Sequence, residues 1–143
     1  MGALGVRPDG TPWTIAVEAP DADRRAPHLI LALQEAAVST AGDYRHWVDV
    51  QRRRLSHAMD PNRGAPLLSP PASVTVISST CAEADAWATA LMVAGADKGA
   101  RMAKRAGLDA LVLLRPPDDA VESHPFGCLF SGEARGDGAA PTT

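Results

Sequence analysis

Asp85 and Thr89 stand four residues apart in the segment 80–95 of this 143-residue chain. On a helix that offset leaves them about 40° apart and one turn along the axis. The segment has the ends of a helix. Thr80 followed by Glu83 forms a capping box, which answers two of the donors orphaned at a helix start, and Gly95 supplies a left-handed stop. Alanines at 84, 86, 88 and 90 flank the pair and let another backbone or a ligand approach closely. A carboxylate with a hydroxyl one turn on is half of a site for Mg²⁺, a hard cation that takes oxygen ligands. The same two residues also have a structural explanation. An acid early in a helix is favoured by the macrodipole, and a helical threonine can satisfy itself on the carbonyl four residues back. Spacing alone leaves both readings open.

The rest of the composition bounds what can position such a pair. The length suits one ordinary domain. Hydrophobic residues make up 45% but aromatics only 4%, so the core must be packed from Ala, Val and Leu. A net charge of −3 argues against a general nucleic-acid binder. No run reaches the 18 or so apolar residues that span a bilayer, and the first residues do not read as a signal peptide. Val6 stands where a myristoylation signal needs Ser or Thr. Cys81 and Cys128 have no metal or redox spacing; they could pair, but nothing in the sequence requires it.

Taken in order, residues 13–18 alternate Trp13, Ile15 and Val17, the pattern of a half-buried strand. The runs 29–33 and 36–40 are short and apolar and read as a hairpin. Residues 44–50 alternate as a strand, and Arg52, Arg53 and Arg54 follow as a turn and the start of the next strand, most simply a solvated face. The Pro- and Gly-rich stretch 60–71 is a loop. Residues 73–78 are apolar on both sides, as a central strand is. After the first helix, Asp97 caps a second through Ala106, ended by Gly107, with Lys98, Arg101 and Arg105 facing solvent. Residues 108–114 form another buried strand, and Pro116–Pro117 end it. The result is an α+β pattern: a mixed or antiparallel sheet in the first half, then a strand–helix–helix–strand unit. The organised part is 1–115, and 116–143 is expected to be a flexible tail.

Five segments then carry a resemblance: W-T-I-A-V-E-A-P at 13–20, S-T-A-G-D-Y at 39–44, H-A-M-D-P-N-R-G at 57–64, S-V-T-V-I-S at 73–78 and D-A-W-A-T-A at 85–90. In this order they are similar to the C-terminal part of the ApbE family, the FAD:protein FMN transferases once described as thiamine-biosynthesis lipoproteins. The family patterns are W-x-V-x-I-x-x-P, T-S-G-D-Y, H-x-I-D-P-x-T-G and D-A-x-A-T-A. The resemblance implies an ApbE-like fold and a reaction that splits the pyrophosphate of FAD. FMN passes to a threonine hydroxyl of a target flavoprotein and AMP leaves; some members hydrolyse FAD to FMN and AMP instead. Such phosphoryl transfer needs in-line positioning, charge neutralisation and a base.

Carried over by motif, the resemblance makes Asp85 and Thr89 ligands of Mg²⁺, with FAD as substrate. It makes His57 the base, a task for which an imidazole with a free pKa of about 6.5 is fit. It places Met59 against the flavin nucleotide through its backbone, and Thr40, Gly42, Asp43 and Tyr44 beside the flavin. Asp60, before Pro61, organises the turn. Tyr44 has an equal reading as core on its strand, and His57 one as a surface histidine. Ala41 stands where the family has Ser, Arg63 replaces its Thr, and Ala58 a larger aliphatic residue. The implied partners are FAD, a flavin-acceptor protein bearing the target threonine, and either a missing N-terminal half or a second copy. The chain begins where an upstream strand of the family pattern ends, keeping Gly5 of it. Members of the family are bacterial inner-membrane or periplasmic lipoproteins, or cytoplasmic. Two other readings stand beside the transferase: a non-catalytic remnant or assembly piece that binds flavin nucleotide weakly, and a metal-dependent phosphohydrolase built on Asp85, Thr89 and His57.

Overall fold

Residues 1–21, 25–43, 47–50, 53–115 and 120–131 are described by the computed structural model. Its strands in chain order are β1 (Gly2–Ala3), β2 (Trp13–Glu18), β3 (Pro27–Leu33), β4 (Ala36–Gly42), β5 (Trp47–Val50), β6 (Arg53–Ser56), β7 (Met59–Asp60), β8 (Ala65–Pro66) and β9 (Ser73–Ser78). Helix α1 (Cys81–Ala106) follows, then β10 (Asp109–Leu114), β11 (Glu122–Phe126) and the single turn α2 (Cys128–Ser131). The α+β expectation holds, with an antiparallel five-stranded sheet ordered β1-β4-β9-β10-β11.

Strand β9 explains why 73–78 is apolar on both sides. It lies mid-sheet, and Val74 and Val76 face the helix, packing with Ala88, Leu91, Met92 and Ala103 of α1. Ile77 faces the other way, where Val17, Leu31 and Leu33 of the separate β2–β3 pair close a second core with Val38, Leu111 and Leu113. The molecule is thus three layers deep: strand pair, sheet, helix.

Sequence and structure differ at several points. Residues 29–33 and 36–40 are both strands, but not partners: β3 pairs with β2, and β4 with β1 and β9. Between them Glu35 adopts φ 50, and its carboxylate accepts from the Gly5 N–H, fixing a corner that sends the chain from one layer to the next. Periodicity reports which side of a strand is buried, not which strand lies beside it. Asp60 and its neighbours are not wholly loop, because β7 and β8 pair across a tight turn. The capping box is half formed. Thr80 Oγ1 accepts from the Glu83 N–H at 3.2 Å, whereas the Glu83 carboxylate takes the hydroxyls of Ser78 at 2.6 Å and Ser79 at 3.3 Å. The sheet also continues past residue 115: β11 pairs with β10 from Ala110–Phe126 to Leu114–Glu122, a main-chain ladder that needs no apolar run. Tyr44, Arg52 and 132–143 lie outside the described residues. Cys81 and Cys128 are not joined in a disulfide.

The second half turns on Gly95. Helix α1 bends there at φ 77, ψ 176 and resumes at once, two residues before the Asp97 start expected from the sequence. A straight helical crossover joins parallel strands, but this one folds back, and β9 and β10 run antiparallel. Gly99 permits the return: a Cβ there would stand 3.0 Å from the Leu91 carbonyl oxygen of the first helical segment. The Gly95 conformation is open essentially only to glycine, so Gly95→Ala is expected to cost about 1–3 kcal/mol by backbone strain alone. A lowered midpoint in denaturant with an unchanged slope would show it; an unchanged midpoint would mean that the bend tolerates a side chain.

Candidate functional site

The first segment of α1 leans on β4 and β9 through Ala84, Ala88, Leu91 and Met92, all buried. That rotation leaves Asp85 and Thr89 exposed on its outer flank. Both line two adjoining cavities. The smaller, about 300 Å³, is bounded by Thr40, Ala41, Gly42, Asp43, His57, Ala58, Asp85, Thr89 and Met92. The larger, about 830 Å³, runs between α1 and the β7 turn, with Met59, Asp60 and Asn62 on one wall and Ala86, Ala90 and Val93 on the other. Every described candidate residue borders one of the two.

Strand alternation sets the floor. Ser39 points at the helix and donates its hydroxyl to Asp85 Oδ1 at 2.8 Å. Thr40, next along, points to the opposite face, where its hydroxyl lies 2.8 Å from that of buried Thr75. Thr40 therefore offers the smaller cavity its backbone. Asp43, just beyond β4, is tied by its N–H to the Ala72 carbonyl at 3.0 Å. Its Oδ1 accepts from Ser56 Oγ at 2.5 Å and faces His57 Nδ1 at 3.5 Å, an ion-pair separation. Ser56 Oγ in turn accepts from the Ala58 N–H at 3.0 Å, so the link carrying His57 between β6 and β7 is held on both sides. Asp60 does organise its turn, accepting from the Asn62 N–H at 2.9 Å while Gly64 N–H reaches its carbonyl at 2.8 Å.

Asp85 and Thr89 fit a Mg²⁺ ion held only in part by protein. They offer a carboxylate and a hydroxyl on one flank of α1, beside space for water and phosphate oxygens, which this cation characteristically keeps. Among the described residues no three His, Cys, Asp or Glu side chains converge as a closed cage would require. No described helix is long and apolar enough to cross a membrane.

The sequence reading did not mark Ser39, Met92, Lys98 or Met102, which the structure brings to the site. Lys98 is exposed as expected, yet borders the larger cavity because the Gly95 bend returns it there. For Ser39 the signal was its place one residue before Thr40, legible only once the face covered by α1 is known. Tyr44 lies outside the described residues.

Known proteins are similar to this chain in sequence and in fold. The FAD:protein FMN transferase of Escherichia coli K12 is 35% identical over 118 residues, which is 82% of this chain and 34% of that protein. That of Vibrio cholerae is 37% identical over 114 residues, 80% of this chain and 34% of its own length. The chain therefore spans about a third of these relatives. The apo crystal structure of the Pseudomonas stutzeri flavinyl transferase ApbE superposes with a TM-score of 0.75 at 39% identity, covering 93% of this chain and 41% of that one. The Vibrio cholerae flavin transferase ApbE gives 0.73 at 34% identity, covering 90% and 40%. The ApbE family model matches residues 1–112. With sequence, fold and family model in agreement over most of its length, this chain belongs to the ApbE family.

Proposed function

We propose that this chain carries out the core of an Mg²⁺-dependent transfer of FMN from FAD to a threonine of an acceptor flavoprotein. The observation supporting this most is a convergence: one turn of α1 presents Asp85 and Thr89 to both cavities, and His57, backed by Asp43, borders the smaller of them. The threonine Oγ attacks the FMN-side phosphorus, the new P–O ester forms, and the bond to the bridging oxygen breaks, so that AMP leaves with that oxygen. His57 accepts the hydroxyl proton; with Nδ1 turned to Asp43, Nε2 is the nitrogen that takes it. Ser39 holds the Asp85 carboxylate in place. Asp85 and Thr89 would hold Mg²⁺, which supplies neutralisation of charge on the phosphate oxygens.

The test is incubation of the chain with FAD, Mg²⁺ and a threonine-bearing acceptor peptide. Expected are covalent FMN on the peptide by mass spectrometry and one AMP for each transfer. Intact FAD and unmodified peptide would overturn it. The chain's span of only a third of its relatives favours a second reading, in which it binds nucleotide but needs further polypeptide for turnover. FAD binding without transfer, in the same mixture, would select that reading.

A further inference from the structure

We propose that Lys98 binds the phosphate of the departing adenylate, an inference that rests on the transfer reading above. Two observations lead to it. His57 borders the smaller cavity and not the larger, whereas Lys98 borders the larger and not the smaller; Asp85 and Thr89 are common to both. In-line displacement puts the attacking and leaving oxygens on opposite sides of phosphorus. An acceptor hydroxyl that gives its proton to His57 enters from the smaller cavity, so AMP departs into the larger. That cavity has the 300–1,000 Å³ scale typical of small-molecule sites.

The electrostatics agree. Among the described residues, the charged ones bordering the larger cavity are Asp60, Asp85 and Lys98, so Lys98 is the one cation among them. Among the described residues no carboxylate lies within ion-pair distance of the Lys98 ammonium. A phosphate monoester gains negative charge as its bond to the FMN phosphorus breaks, and a lysine, a mobile point charge on a long stem, can follow it. The position is made by the fold: Gly95 turns the helix and Gly99 seats the return against Leu91, carrying Lys98 back toward the cleft. Alanines 86 and 90, with Val93, Met59 and Met102, leave apolar room for a flat base beside it.

The experiment compares AMP with adenosine by calorimetry on the full chain, with FAD binding measured in parallel. Wild type is expected to prefer AMP. Lys98→Met should weaken AMP binding about fivefold, the value of one exposed charge pair, leave adenosine unchanged, and be rescued by Lys98→Arg. Its thermal midpoint should stay at the wild-type value, since the side chain is exposed. If FAD binds but Lys98→Met holds AMP as wild type does, the Lys98 assignment falls and the transfer reading stands. If wild type binds neither FAD nor AMP, the transfer reading itself falls and takes this one with it.

Discussion

Replacing His57 by alanine is expected to slow FMN transfer by about 10²- to 10⁴-fold, the usual contribution of a positioned general base, with FAD binding unchanged. The expectation rests on how the residue is held. Its side chain is 49% exposed, so truncation leaves no core cavity. The link that carries it is pinned independently of the ring, by Ser56 Oγ between Asp43 and the Ala58 N–H. Removing the imidazole therefore removes the proton acceptor and its contact with Asp43, and leaves the backbone of the link pinned. Single-turnover transfer to an acceptor peptide, followed by mass, reads the rate; fluorescence titration of FAD reads the binding. A variant that transfers at the wild-type rate would move the proton to another group. One that loses FAD binding in parallel would make His57 a binding residue.

The parts of the fold legible in the sequence are those whose signal is local. The 73–78 run, apolar on both sides, reads as a central strand, and β9 is one. Thr80 and Gly107 mark the ends of α1 as their types predict. What failed was pairing and layer. The strands at 29–33 and 36–40 were joined as a hairpin because two short runs separated by a polar pair look like one, yet the corner at Glu35 puts them in different sheets. Strand β11 is not legible because E-S-H-P-F has no apolar alternation; its ladder to β10 carries it, with Phe126 alone packed on the helix-side core.

The site divides in the same way. Helical spacing and motif both mark Asp85 and Thr89, and motif alone marks Asp43 and Met59; the structure sets all four at the cavities. The motif marks Thr40, whose side chain the structure turns to Thr75 and away from α1, while its unmarked neighbour Ser39 bonds Asp85. That choice depends on which face of β4 the helix covers, a tertiary fact. Lys98 reads as solvated on any helical wheel, because a wheel does not contain the Gly95 bend.

Asp85→Ala is expected to lower transfer by about a thousandfold, equivalent to about 4 kcal/mol of lost charge stabilisation at the phosphate oxygens. Among the described residues, Asp85 is the one carboxylate that borders both cavities: Asp43 is confined to the smaller and Asp60 to the larger. No described neighbour can therefore replace it at their junction. The loss to the fold should be small, because the residue is exposed and its hydrogen bond to Ser39 is worth about 1 kcal/mol. The sharper measurement is binding. Wild-type affinity for FAD should rise when Mg²⁺ is added, and the alanine variant should be indifferent to the ion. Asp85→Asn separates the two roles of the carboxylate, since an amide oxygen still accepts from Ser39 but brings no charge to a cation. It should therefore keep wild-type stability and share the alanine variant's indifference to Mg²⁺. A Mg²⁺ response that survives in both variants would place the ion elsewhere, and would leave Asp85 as an acid at the start of a helix, stabilised by the macrodipole and by Ser39.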